Sequence, residues 1–217
     1  MLSDNGIRQA IDAKELALEP FAEASLQPAS YDFRVGNYAF VSSTREKVNV
    51  EDKGLIVIEP GDFAVIETLE NVSVGPQVAA MLGLRSEYAR QGLLILSGPQ
   101  IDPGFAGVLV IRIVNLSPKR VALTYSAPFL TAQFFRLPEP AAHPYKGDRQ
   151  GQTGITPRDV QELTETEGLT LGEMMKTLSS LASDVSGLRG SITALAWAVP
   201  LIVLFGIAVI TLVVLLK

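Results

Sequence analysis

Residues 194–216 read ALAWAVPLIVLFGIAVITLVVLL and carry no charged side chain. At ~1.5 Å of rise per residue, a helix of that length reaches about 35 Å, enough to cross a hydrocarbon core of ~30 Å. A helix buried in a globular core rarely runs so far without a polar face, so this stretch is expected to span a bilayer. Trp197 near the entry end suits the interface, and Pro200 and Gly206 are tolerated in such helices. The expected topology is single-pass and tail-anchored. The flanking charges, Lys176 and Arg189 before the span and Lys217 after it, put the larger part of the chain on the cytoplasmic side. The mean hydropathy of +0.28 over 217 residues owes most of its excess to this one segment.

A second pattern precedes the span. Leu171, Met174, Leu178, Leu181, Val185, Leu188, Ile192 and Leu195 alternate spacings of three and four, the a/d seam of a heptad repeat. Thr170 with Glu173 resembles a capping box. The polar face is poor in Lys and Arg, unlike that of a helix lying on a lipid surface. Gly172, Gly187 and Gly190 weaken helix propensity, so the helix needs partners to persist. The expected organisation is therefore a domain over 1–157, a linker over 158–170, a coiled-coil stalk over 171–193 and a transmembrane helix over 194–216.

The first 157 residues read as β structure. Ile7, Ala10 and Ile11 fall at helical spacing, and then come short apolar runs at 54–59, 63–67, 92–96, 108–114, 121–125 and 129–135. Pro60-Gly61, Gly75-Pro76 and Asp102-Pro103-Gly104 punctuate them. This spacing predicts an all-β sandwich or distorted barrel. Residues 137–154 read as a loop or arm leading to the stalk.

Composition removes several chemistries. No cysteine is present, which excludes disulfides, iron–sulfur clusters and thiol nucleophiles. The single histidine, His143, lies in a proline-rich stretch, so neither a zinc hydrolase site nor a Ser-His-Asp triad assembles in the usual way. No metal-ligating residue set is identified. The net charge of -5 argues against a nucleic-acid-coating protein. There is no GxGxxG and no P-loop.

Four polar islands interrupt the strands: 28–36, 83–93, 101–107 running on to Asn115, and 132–134. Arg85 and Arg90 bracket Ser86 beside glycine-freed amides, a combination that suits a phosphate. Asp102, ahead of a Pro-Gly turn, is placed to orient a water or hold a sugar hydroxyl. Each island taken singly is ordinary turn chemistry; their joint order says more.

That order resembles the dCTP deaminase branch of the trimeric dUTPase superfamily. The opening Leu2-Ser3-Asp4 with Ile7, the stretch LQPASYD at 26–32, the run from Arg85 to Leu93 beside the family's RSSLARxGL, and IDPGFAG at 101–107 with Asn115 carry the likeness. Tyr145-Lys146-Gly147 and QGQTG at 150–154 resemble the C-terminal segment that closes over triphosphate. The resemblance implies a distorted β-barrel forming homotrimers with sites between subunits, which sets three as the number of stalk helices. It implies that Arg85, Ser86 and Gln133 hold phosphates, that Arg90 and Gln100 lie in the substrate site, that Asp102 meets the sugar hydroxyl and a water, and that Phe105 packs on deoxyribose. Lys146 and Gln152 belong to the closing segment. Mg²⁺ would arrive with the bound triphosphate.

Three positions depart from the pattern. The deaminases place a proton-shuttling glutamate ten residues after the aspartate of IDPG, and this chain has Arg112 there. Arginine stays protonated and offers no acceptor, so it cannot be that base. Gln100 stands where the deaminases commonly carry an arginine, and Glu87 replaces a serine of the phosphate motif. The expected function is a membrane-anchored protein that binds pyrimidine deoxynucleoside triphosphates. Deamination is disabled at Arg112, while the positions for dUTP-type hydrolysis are partly retained. The alternative is a catalytically inactive trimeric nucleotide sensor or membrane scaffold.

Overall fold

The computed structural model describes residues 1–165 and, beyond them, 177–178, 180–181, 183–189 and 195. The chain divides into two units, Met1–Gly172 and Glu173–Lys217.

The first unit opens on helix α1 (Asp4–Asp12). The Ser3 side chain caps it by accepting the Gly6 amide at 3.2 Å, and it buries Ile7 and Ala10. Strands β1 (Leu16–Glu19), β2 (Leu26–Gln27), β3 (Ser30–Val41) and β4 (Glu46–Asn49) follow, then a one-turn helix α2 (Val50–Lys53). Next come β5 (Leu55–Ile58), β6 (Phe63–Val74), β7 (Val78–Leu84), the short helix α3 (Ser86–Arg90), β8 (Leu93–Ile95) and β9 (Gln100–Ile101). The chain continues through β10 (Ala106–Asn115), β11 (Val121–Thr124), β12 (Pro128–Arg136) and a last helix, α4 (Pro157–Glu165).

The unit is mainly β. One curled sheet of ten strands runs β8-β10-β6-β3-β12-β7-β9, with β1, β2 and β4 attached at its sides, and β11 pairs β5 separately. The strong apolar runs became strands where expected, because their alternate residues reach the core. In β10, Gly107, Leu109, Ile111 and Ile113 are buried while the intervening side chains take the other face. The core is built on the fully buried rings of Tyr31, Phe33, Phe129 and Phe134, with Ile66, Ile113 and Leu130 around them.

The arm after β12 is fastened to the domain throughout. Amides of Leu137, Ala141 and Tyr145 donate to the carbonyls of Gln77, Pro76 and Pro103 at 2.9, 2.8 and 2.7 Å. Gln152 then forms a parallel bridge with Gly107, and its carbonyl accepts the Val108 amide at 2.7 Å. The Ile155 amide donates to the buried Glu67 carboxylate at 3.2 Å. From there α4 lays Val160 and Leu163, with Ile155, against Phe40, Phe63, Val65 and Val110. The segment read from the sequence as the start of a linker at 158 thus carries a helix packed on the β domain.

In the second unit, Leu178, Leu181, Val185, Leu188 and Leu195 of the heptad seam are helical and exposed. The expected transmembrane segment and the rest of the stalk lie outside the described residues. Among those described, no helix is long and apolar enough to cross a membrane.

Candidate functional site

A cavity of about 360 Å³ opens between β9, the turn into β10, the arm and α4. Its lining includes Gln100, Asp102, Phe105, Arg112 and Gln152, all singled out from the sequence, and adds Ser97, Tyr145, Arg149 and Glu162. Residues 101–107 shape one end. Gly104 adopts φ +88° in the turn, and Gly107, at φ +152°, lets the arm approach so closely that a Cβ there would lie 2.9 Å from the Gln152 backbone. Phe105 is buried and meets the Tyr145 ring edge-on at 5.6 Å between centroids, giving the cavity an aromatic wall. The Gln100 side-chain amide donates to Asp102 Oδ1 at 2.6 Å, which fixes the carboxylate.

Arg112 also lines the cavity. The strand alternation of β10 turns it away from the core, and its own amide donates to Ser97 Oγ at 2.7 Å. Its guanidinium pairs through Nη2 with Glu162, and Asp159 Oδ1 lies 3.8 Å away. Neither Glu87 nor Asp102 is its partner. Asp159 also pairs with Arg149 at 2.8 Å, and Glu162 with Arg158 at 2.8 Å. Hydrogen bonds from Arg112 and Arg158 hold the Glu162 carboxyl below the usual range. Burial opposes ionisation of Asp159, but bonds from Thr156 and Arg149 outweigh it, and its pKa is lowered too. Burial raises that of Glu67, beneath the arm.

Sequence reasoning missed the carboxylates of α4. A signal for them was present. Thr156-Pro157-Arg158-Asp159 is a capping box with proline at the first helical position: the Thr156 amide donates to Asp159 Oδ2 at 2.9 Å and the Asp159 amide to Thr156 Oγ1 at 3.3 Å.

The residues expected to hold phosphates stand apart from the cavity lining. Arg85 lies between β7 and α3, its amide donating to the Phe129 carbonyl at 3.0 Å and its guanidinium paired with buried Asp32. Asp32 is held in turn by Thr131 Oγ1 at 2.7 Å. Ser86 and Arg90 are the exposed ends of α3, with Glu87 exposed between them. Gln133 in β12 faces Met81 in β7, which faces Gln100 in β9, so Gln133 and Gln100 lie in one cross-strand row about 10 Å apart. That row joins the two groups of residues. Lys146 is exposed on the arm beside the cavity and does not line it.

No group of three or more potential metal ligands occurs among the described residues. A magnesium ion, which keeps most of its water and binds through phosphate oxygens, fits such a site only as part of a metal–triphosphate complex.

The sequence model described as dCTP deaminase-like matches residues 1–127. The chain belongs to this family. It is 44% identical over 142 residues to a dCTP deaminase of Pyrococcus horikoshii, covering 65% of this chain and 89% of that one. It is 38% identical over 178 residues to a dUMP-forming dCTP deaminase of Salinispora tropica, covering 72% and 93%. Among solved structures, a 2'-deoxycytidine 5'-triphosphate deaminase from Agrobacterium tumefaciens superposes with a TM-score of 0.52 at 19% identity, over 76% of this chain and 53% of that one. This chain spans about half of that longer chain, and the likeness speaks for the fold. The family match ends at residue 127, before the arm and α4 that close the cavity.

Proposed function

We propose that this dCTP deaminase homologue binds pyrimidine deoxynucleoside triphosphates and does not deaminate them. The observation that carries the reading is the Arg112 guanidinium in the cavity wall, pinned by Glu162 and Asp159. Hydrolytic deamination needs a group that takes a proton from the attacking water and returns it to the leaving nitrogen. A guanidinium offers no lone pair for the first step. The carboxylates of α4 are engaged by Arg112, Arg149 and Arg158.

Binding, by contrast, keeps its parts. Asp102, fixed by Gln100, accepts a sugar hydroxyl, and the ring of Phe105 gives the deoxyribose an apolar surface. Arg85, Ser86, Arg90 and Gln133 supply donors for phosphates, with Lys146 and Gln152 on the arm, and the triphosphate brings its own Mg²⁺. Homotrimer formation would complete each site from neighbouring subunits. The exposed seam residues of the second unit support a three-helix stalk. The uncharged 194–216 stretch supports a tail anchor, with the β domain on the cytoplasmic side.

A second reading, a trimeric nucleotide sensor or membrane scaffold, is favoured by α4. The helix touches the cavity through Glu162 and comes before the stalk residues in the chain, so a ligand competing for Arg112 would act on an element that precedes the stalk in sequence. Titration calorimetry of the full chain in detergent with dCTP and dUTP, alongside an ammonia assay, tests the proposal. Saturable binding without ammonia release is expected; steady ammonia release from dCTP overturns it.

A further inference from the structure

We infer that Arg112 makes the cavity selective for pyrimidine deoxynucleotides with a carbonyl at the 4-position, deoxyuridine or thymidine nucleotides, over deoxycytidine nucleotides. The inference rests on the proposed reading that the cavity holds a pyrimidine deoxynucleotide with its sugar against Asp102 and Phe105.

Ser97 and Arg112 line the same cavity as Asp102 and Phe105, and in the inferred pose the base lies against them. Arg112 is the donor-only group of this wall. Ser97 Oγ accepts the Arg112 amide at 2.7 Å and keeps one hydrogen to donate and one lone pair to accept, so it favours neither base edge. The guanidinium has five N–H groups and no acceptor. Its contacts with Glu162 and Asp159 both run through Nη2, and Nε and Nη1 make no hydrogen bond among the described residues. Glu162 lines the same cavity, with its two carboxylate oxygens engaged by Arg112 and Arg158.

The edges of the pyrimidines differ at this wall. Cytosine presents its N4 amino group, a donor, whereas thymine and uracil present O4, an acceptor. An amino group set against the guanidinium loses its water without gaining a partner there, and a carbonyl set against it gains a charge-assisted hydrogen bond. A carboxylate at position 112 would reverse this preference, because it accepts and never donates when ionised. The exchange of glutamate for arginine therefore alters which base is recognised as well as removing a proton carrier.

The test is titration calorimetry of the full chain in detergent with the non-hydrolysable α,β-imido analogues of dUTP, dTTP and dCTP, each with Mg²⁺. The uracil and thymine analogues are expected to bind about tenfold more tightly than the cytosine analogue. In R112Q, whose amide presents either a donor or an acceptor, the ratio is expected to fall to about threefold or less. In R112K, which keeps a donor-only cation for Asp159 and Glu162, the direction of the preference is expected to survive. Equal or tighter binding of the cytosine analogue by the unaltered chain overturns the inference and leaves nucleotide binding standing. A ratio unchanged in R112Q overturns the assignment to Arg112. Failure of all three analogues to bind overturns the proposed function and this inference together.

Discussion

Arg112 and Glu162 meet as an ion pair although 50 residues separate them in the chain. The pair joins strand β10, which belongs to the family's shared fold, to helix α4, which follows the arm. Removing the charge on Glu162 should therefore loosen α4 without disturbing the sheet. In E162Q, amides of α4 are expected to exchange with solvent faster than in the unaltered chain, while those of β3, β6 and β10 keep their protection. Hydrogen exchange read by mass spectrometry checks this; unchanged exchange in α4 would show that Val160 and Leu163 hold the helix alone.

Acid should release the same helix. Asp159 and Glu162 both have lowered carboxyl pKa values in the folded chain. Groups of that kind contribute stability above the ordinary carboxyl range, about pH 4, and lose it as pH falls through their folded values. Glu67, beneath the arm, has a raised pKa and works the other way: its contribution is present at low pH and is lost as pH rises through its folded value. It therefore opposes the acid loss. Amide NMR signals of residues 158–163 are expected to hold their positions from neutral pH to about 4.5 and to shift together below pH ~4, while that of Ile155, which donates to Glu67, shifts at higher pH.

The strands legible in the sequence were those whose apolar residues alternate or run together, as in β10 and β12. β3 was not, because Ser30, Asp32, Arg34 and Asn37 interrupt its pattern; in the fold Asp32 is buried and satisfied by Arg85 and Thr131, and Arg34 by Glu70. Polar residues that find partners three or more strands away in sequence look like a loop to any local reading. The cavity residues Gln100, Asp102, Phe105, Arg112 and Gln152 were visible because family motifs mark them. Glu162 and Asp159 were not, since no motif extends to them and an amphipathic helix of two turns carries little periodicity. The cap at Thr156 was the one local mark of α4.

Asp32 and Arg85 offer a test of the phosphate end. Asp32 is buried and Arg85 is partly exposed, so the pair is shielded on one side only. D32N keeps an acceptor for Thr131 but removes the counter-charge of the guanidinium. A loss of about 1–3 kcal/mol in denaturant unfolding is expected, less than the ~3–5 kcal/mol that breaking a fully buried pair costs, because solvent reaches Arg85. Triphosphate affinity is expected to fall as well, because the freed guanidinium no longer holds one orientation.

Gly107 should be intolerant of any side chain. At φ +152° an L-residue is strained, and a Cβ would press on the amide and carbonyl of Gln152. G107A is expected to lift the arm from the turn at 101–107 and free its backbone for cleavage by trypsin after Lys146 and Arg149, whose side chains are exposed already. Cleavage at those two sites, with the β domain left intact on a gel, is the expected pattern; equal resistance in both proteins would mean the arm is held without the Gly107–Gln152 bridge.

Position 112, where the family resemblance leads one to expect a glutamate, can be tested by exchange. R112E on its own brings a third carboxylate against Asp159 and Glu162, and like charges at this separation repel, so α4 is expected to detach. The exchanged pair, R112E with E162R, keeps opposite signs across the cavity and should let α4 dock again. It also returns to the wall a carboxylate able to carry a proton between water and the 4-amino group of cytosine. Ammonia release from dCTP is then expected above the background of the unaltered chain, in the double variant and not in R112E alone. If the double variant restores docking, read as recovered exchange protection in α4, and still releases no ammonia, the loss of chemistry lies also at Gln100 or Glu87, the two other positions where the chain departs from its family's pattern.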